Sequence, residues 1–113
     1  MKTWTLLALV GLLACRAHAA DGDIALATVT ELGQANGQAL ACSEKEASAR
    51  VKRLILRHVP KTPGFGQAFE EATQQGFLAQ VKGQSPCPQT RAIADRIDVL
   101  AQRLGELLPA GPR

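Results

Sequence analysis

The residues best placed to do chemistry in this chain of 113 residues are three arginines at helical spacing. Arg50, Arg53 and Arg57 lie three and four residues apart, so they form one positively charged stripe on a helix. Lys61 follows the stripe, and Leu56 points away from the apolar face of the same segment. A basic helix flank is often ordinary solvated surface. Beside an exposed leucine, it also suits the binding of an acidic protein segment or an anionic envelope component, and we predict these five residues as partner-binding.

Catalytic and metal-binding chemistry has little support in the sequence. His58 is the only histidine beyond position 18, and it falls on an apolar helix face, where a hydrogen-bonded core role is the common one. Zinc and copper sites need three or four converging ligands, and the chain has no cysteine and histidine cluster. The pairs Glu70-Glu71 and Asp95/Asp98 are predicted to be solvated surface charge. We therefore predict no catalytic residues, no metal and no cofactor.

Two cysteines, Cys42 and Cys87, are predicted to form a disulfide. An even pair of cysteines in a small exported domain is usually bridged. Such a bridge closes a loop of about 45 residues, which corresponds to roughly 4 kcal/mol in the chain-entropy model. The alternative is a pair of free buried thiols.

The N-terminus has the form of a secretory signal. A basic start, an apolar run over residues 6–14 and the small residues 17–19 predict cleavage after Ala19. The run is too short to be a permanent membrane anchor. Residues 12–15 also resemble a lipobox, and this alternative would place a lipid on Cys15. We therefore predict a signal peptide over residues 1–19, with membrane contact only if the cysteine is lipidated.

Charge and aromatic content exclude one class of partner. The formal net charge is +3, but Lys2 and Arg16 leave with the signal, so the mature chain is close to neutral. Its aromatic residues are Phe65, Phe69 and Phe77. Single-stranded nucleic acid is bound by exposed aromatic rings interleaved with basic residues, and no such pattern occurs. We expect no nucleic-acid partner.

The remaining chain predicts four helices. The most clearly specified one contains the arginine stripe: Ser43 and Glu46 form a capping box at its start, and Pro60 ends it. Asp21 or Asp23 is predicted to cap the first helix. The predicted helices cover residues 21–41, 44–59, 65–82 and 90–108. Leu40 on the first helix and Ala79 on the third are predicted to lie on the buried apolar faces. The last helix has the cleanest apolar face, formed by Ile93, Ile97, Leu100, Leu104, Leu107 and Leu108.

Small and polar residues interrupt the apolar face of the first helix. Gly33 and Gly37 each cost about 1 kcal/mol relative to alanine inside a helix, so we expect close approach by another helix as compensation. Asn36 lies between them on this face. It is predicted to be a hydrogen-bonded core amide; the alternative is a polar contact in a ligand pocket.

Short connections between the helices favour antiparallel neighbours. We predict an all-α fold, a small up-down-up-down four-helix bundle over residues 20–108 with a disordered tail over 109–113. This topology brings Cys42 and Cys87 to the same end of the bundle, so the disulfide and the topology support each other.

In its general plan, a short exported four-helix domain with one disulfide, the chain resembles periplasmic acid-stress chaperones and pilotins, the small lipoproteins that guide secretin subunits. The sequence thus predicts a non-enzymatic periplasmic or secreted protein that acts through protein or envelope contacts. The alternative that the resemblance implies is a pilotin-like assembly factor anchored by a lipid on Cys15, or a periplasmic chaperone.

Overall fold

The structure is a computed structural model that describes the backbone of residues 13–111 and the side chains of residues 21–111. Residues 1–12 of the predicted signal peptide and residues 112–113 of the predicted tail lie outside the described residues. The helices are α1 (Leu13–Ala41), α2 (Lys45–His58), α3 (Pro63–Lys82) and α4 (Thr90–Leu107). No strand occurs among residues 13–111, which confirms the all-α prediction. None of the described helices is both long enough and apolar enough to span a bilayer.

The first helix begins earlier than predicted. Because α1 starts at Leu13, Asp21 and Asp23 lie inside the helix, and the prediction that one of them caps it is wrong. The predicted cleavage point after Ala19 also falls within α1. Cys15 belongs to α1 by its backbone, and its lipidation stays a prediction.

A tight turn joins α1 to α2 and replaces the predicted capping box. Ser43 adopts a left-handed conformation with φ of 59°. Its N–H donates to the Leu40 carbonyl, and the Glu44 N–H donates to the Ala39 carbonyl at 2.8 Å. This pair of bonds is a Schellman motif, which satisfies the last carbonyls of α1. Glu44, at the N-cap position of α2, makes no side-chain cap bond, so the predicted box of Ser43 and Glu46 is wrong.

The other helix ends follow the prolines in the sequence. α2 ends at His58, two residues before Pro60 and one residue before the predicted end. α3 begins with Pro63 in its first turn, where the missing N–H of proline is not needed. α4 begins at Thr90, shortly after Pro88.

The core lies between α1, α2 and α4. The apolar pattern of α4 is confirmed, since Ile93, Ile97 and Leu104 are at most 2% exposed. Leu40 and Ala79 were predicted to be buried, but both are exposed. The buried cluster consists of Val29, Leu32, Ala35, Ala39, Val51, Val59, Ile93, Ile97, Leu100 and Leu104.

α3 packs separately, against α1, through small residues. A Cβ atom added to Gly33 would lie 2.6 Å from the Cβ of Ala72, and one added to Gly37 would overlap the Thr73 carbonyl. On α3, a Cβ added to Gly76 would lie 2.9 Å from the Cα of Gln34. The two backbones are therefore close enough that only glycine fits between them, which confirms the predicted role of Gly33 and Gly37.

The contacts also give the relative direction of this pair. Gly33 lies against Phe69 and Ala72, and Gln38, further along α1, bonds to Gln80, further along α3. The positions rise together, so α1 and α3 run parallel. The first and third helices of an up-down-up-down bundle also run parallel, so this direction does not contradict the predicted order. What differs from the prediction is that α1 packs most closely on α3 and not on a helix adjacent to it in the chain. α2 and α3 are consecutive in the chain but their backbones do not approach closely: no Cα atom of one lies within 8 Å of a Cα atom of the other among the described residues.

The disulfide joins the end of α1 to the segment before α4. Cys42 and Cys87 are bonded, with Cα atoms 5.7 Å apart. This confirms the predicted pairing and the prediction that the two cysteines lie at the same end. Further along α4, Arg103 forms a 2.8 Å salt bridge with Glu31 of α1. The disulfide and this ion pair thus join α4 to α1 near both ends of α4.

Candidate interaction surfaces

The predicted basic stripe is divided by the packing of α2. Arg50 faces α4, where its guanidinium forms a 2.6 Å salt bridge with Asp98. Both side chains are more than a third exposed, so the pair contributes only about 0–1 kcal/mol to stability. Arg50 is thus occupied by a contact within the protein, and Asp98, predicted as free surface charge, is its partner.

Arg53 and Arg57 remain available on the outer side of α2. Both are exposed, and among residues 21–111 no carboxylate lies within salt-bridge distance of either. Arg50 and Arg53 also line a shallow hollow of about 210 Å³ between α2 and the start of α4, together with Glu44 and Glu46. The two carboxylates balance the two arginines, so this hollow does not favour an anion.

Leu56 and Lys61 belong to a different feature, which we call the α2–α3 groove. It lies between the last turns of α2 and the first turns of α3 and has a volume of about 410 Å³. Leu56, at its edge, is 66% exposed. Lys61 and Glu70 are the charged residues that line it. Its apolar lining is made by Ile55, Leu56, Val59, Pro60, Pro63, Phe65 and Phe69.

The predicted five-residue site is therefore not one surface. Leu56 and Lys61 line the α2–α3 groove, Arg50 is paired on the opposite flank, and Arg53 and Arg57 lie between them on the outside of α2. The division follows from helical geometry, since positions 50 and 56 lie about 120° apart around the helix at about 100° per residue.

His58 has a structural role in the described part of the chain. Its Nδ1 atom lies 2.7 Å from the Leu108 carbonyl oxygen. A carbonyl only accepts hydrogen bonds, so Nδ1 carries the proton and donates it. The ring thereby joins the C-terminal ends of α2 and α4. This agrees with the predicted core histidine.

Asn36 is a buried amide shared by three helices. It is 1% exposed. Its Oδ1 accepts a 2.7 Å hydrogen bond from the Ser48 hydroxyl of α2, and its Nδ2 donates to the Thr73 hydroxyl of α3 at 3.2 Å. Both ends of the amide are satisfied within the protein, as predicted for a core amide rather than a ligand contact.

Sequence reasoning missed a second concave site, which we call the glutamine cleft. It has a volume of about 530 Å³ and lies between α1, α3 and the connection that leads into α4. The sequence does place several glutamines on the same helices as Gly37 and Gly76. Only the packing of the helices shows that these glutamines converge on one site. Its polar lining residues are Gln34, Gln38, Gln75, Gln80, Ser85 and Arg96.

Residues 21–111 contain no group of three or more histidine, cysteine, aspartate or glutamate side chains that would hold a metal ion. The carboxylates of Glu70, Glu71 and Asp95 are exposed, as predicted. Comparison of the chain with protein-family models, with curated proteins and with solved structures finds no match.

Proposed function

We propose that this chain is an exported, non-enzymatic helical protein that binds a segment of another protein along α2 and in the α2–α3 groove. The observation that carries the proposal is Leu56, which is 66% exposed at the edge of an apolar groove. An exposed large apolar side chain beside an apolar concavity is typical of a protein-binding surface.

Charge identifies the kind of segment that suits this surface. Lys61 lines the groove, and Arg53 and Arg57 are exposed on the outside of α2. The negative charge of Glu70 lies on the α3 side of the groove, whereas the positive charges lie on the α2 side. An apolar side chain of the partner would enter the groove, and acidic residues next to it would lie along α2. Complementary charge of this kind contributes mainly to specificity and association rate.

Two observations support export. The Cys42–Cys87 disulfide is stable in oxidising compartments and rare in the cytosol. The N-terminal sequence has the three-part form of a secretory signal, with predicted cleavage after Ala19. Together they favour a periplasmic or secreted protein.

A second candidate function is a lipid-anchored assembly factor or chaperone of the pilotin-like plan. It is favoured by residues 12–15, whose form resembles a lipobox and would leave a lipidated Cys15 as the first mature residue. Intact-mass measurement of the mature protein distinguishes the two candidates. Cleavage after Ala19 gives an unmodified chain that begins at Ala20, whereas lipidation gives a chain that begins at Cys15 and carries acyl mass.

The binding proposal is tested by photo-crosslinking in the native cells. A photoreactive amino acid replaces Leu56 in one variant and Val99 in the control. Val99 is 59% exposed on α4, so the two positions are similarly accessible. We expect a discrete adduct from position 56 and none from position 99, and we expect the captured peptide to contain an apolar residue flanked by acidic ones.

A charge variant completes this test. Replacement of Arg53, Arg57 and Lys61 by glutamine should reduce the yield of the adduct at position 56 about tenfold, since it removes three exposed cations from the proposed contact. Equal adducts from positions 56 and 99, or a yield that does not respond to the charge variant, would contradict the proposal.

A further inference from the structure

The glutamine cleft lies where the backbone of α3 approaches that of α1 but not that of α4. No Cα atom of α3 lies within 8 Å of a Cα atom of α4 in the described chain, and residues 83–89 cross the gap between them. One side of the gap is α3, the floor is α1, and the other side is formed by this connection and α4. The volume of about 530 Å³ is within the range of about 300–1,000 Å³ that ligand sites usually have.

The base of the cleft is the line along which α3 meets α1, and the α3 residues there are small. Gly76 approaches the backbone of Gln34 so closely that a Cβ atom would overlap the Gln34 carbonyl. Ala79 adds only a methyl group. The longer glutamine side chains line the cleft around this base.

The wall formed by the connection is held in place by three contacts. Gln38 donates to the Oε1 atom of Gln80 at 3.0 Å, and Gln80 Nε2 donates to the Ser85 carbonyl at 2.8 Å. Cys87 is joined to the end of α1 by the disulfide. Pro86 and Pro88 restrict the backbone on either side of that cysteine. A site with walls fixed in advance loses less entropy when a ligand binds.

The polar groups that remain favour an anion. Arg96 is the only charged residue that lines the cleft in the described structure, and no carboxylate of residues 21–111 lies within salt-bridge distance of it. Gln38 and Gln80 bond to each other, whereas the amides of Gln34 and Gln75 form no hydrogen bond with a described residue. A guanidinium matches a carboxylate with two parallel hydrogen bonds.

We propose that the glutamine cleft binds a short extended peptide segment through its carboxylate, which Arg96 holds, while Gln34 and Gln75 bond to the peptide backbone. A glutamine amide has both a donor and an acceptor, as a backbone peptide unit does. The proline rings and Ala79 supply apolar contact for the peptide. The carboxylate is that of an aspartate or glutamate side chain, or that of a chain end. The cleft shares no lining residue with the α2–α3 groove, so the inference does not depend on the function proposed above.

The test uses three capped peptides as probes, titrated into the ¹⁵N-labelled oxidised protein and followed by NMR. The first has the sequence acetyl-Ala-Ala-Glu-Ala-Ala-amide, the second has glutamine in place of the glutamate, and the third is acetyl-tetra-alanine with a free C-terminal carboxylate. We expect saturable shifts of the Gln34 and Gln75 side-chain amides and of the Arg96 Nε signal with at least one carboxylate peptide. The neutral peptide should bind about tenfold more weakly or worse, as expected for loss of a charge-assisted hydrogen-bonded pair.

Three variants make the assignment specific to the cleft. Arg96→Gln should weaken binding of the carboxylate peptide about tenfold, and Gln75→Glu should do the same because it supplies a competing carboxylate. Arg91→Gln is the matched control: it makes the same change on the same helix at an exposed position outside the cleft, and it should bind like the wild type.

Each outcome bears on the proposal. A response to the glutamate peptide alone assigns the cleft to internal acidic residues, and a response to tetra-alanine alone assigns it to chain ends. Equal binding of the neutral peptide, no response to either carboxylate peptide, or full binding by Arg96→Gln would overturn it. Loss of binding in the Arg53, Arg57 and Lys61 variant, with Arg96→Gln unaffected, would instead place the peptide on α2 and also overturn it.

Discussion

At the scale of single residues, Asn36 is the polar side chain on which the packing of three helices depends. Its amide joins Ser48 of α2 to Thr73 of α3 from a fully buried position on α1. A buried amide that bonds in two directions restricts how the helices can slide past one another, because any other register leaves polar atoms unpaired. The residue is therefore better understood as a determinant of register than as part of a ligand site.

The first prediction concerns this residue. Asn36→Ala removes both hydrogen bonds and leaves the buried Ser48 hydroxyl without its partner, so the free energy of unfolding should fall by about 1–3 kcal/mol. Urea denaturation followed by circular dichroism measures the loss. Gln102→Ala is the control, since Gln102 is exposed and bonds only to Glu106 on the same helix; it should change stability by less than about 0.5 kcal/mol. Similar values for the two variants would show that the Asn36 network does not stabilise the fold.

At the scale of the helices, the glycines of α1 and α3 determine where α3 lies. The apolar core is made by α1, α2 and α4, and Ala72 is the only fully buried apolar residue of α3. α3 also packs the half-buried Phe65 and Phe69 against the core, and its backbone lies close to that of α1, where many weak dispersion contacts add up. The same placement leaves α3 apart from α2 and α4 and so creates both concave sites.

The second prediction compares two glycines on α1. Gly37→Ala should lower the free energy of unfolding by about 1–3 kcal/mol, because overpacking against the α3 backbone outweighs the gain in helix propensity. Gly22→Ala is the control on the same helix, where no atom lies within 4 Å of the added Cβ, and it should be neutral or stabilising by up to about 1 kcal/mol. Hydrogen exchange of α3 amides should rise in the first variant only.

A Gly37→Ala protein that is as stable as Gly22→Ala, with unchanged exchange in α3, would contradict the close approach of α1 and α3.

At the scale of the whole molecule, one covalent bond complements a small core. The Cys42–Cys87 disulfide spans 45 residues that include all of α2 and α3. Small domains bury a limited fraction of their surface and often depend on such bonds. The disulfide also fixes the connection that forms one wall of the glutamine cleft, so it links stability to the geometry of that site.

The third prediction tests this contribution. The double variant Cys42→Ser/Cys87→Ser should lose roughly 4 kcal/mol of stability, the value expected for the entropy of a loop of this length. The loss is measured from the urea midpoints of three samples: the oxidised wild type, the wild type under reducing conditions and the double variant. The last two proteins should behave alike. A double variant with an unchanged midpoint would show that the bond adds no stability.

Much of the helical structure could be predicted because its determinants are local. Apolar spacing indicated all of α4, Pro60 indicated the end of α2, and the cysteines indicated their own pairing. The capping box failed for a local reason as well: Ser43 was needed as the left-handed residue that ends α1, and it could not also begin α2. The predicted start of α1 failed because the helix continues through the aspartates.

Local signals along the chain are enough to predict the four helices of the described residues, most of their ends, the buried face of α4 and the disulfide. Three features depend instead on how the helices pack: the parallel course of α3 on α1, the pairing of Arg50 with Asp98, and the convergence of the glutamines with Arg96. Helix periodicity and proline act within a few residues, so they can be read from order along the chain. Clefts and ion pairs join residues far apart in sequence, and their positions depend on which helix faces meet.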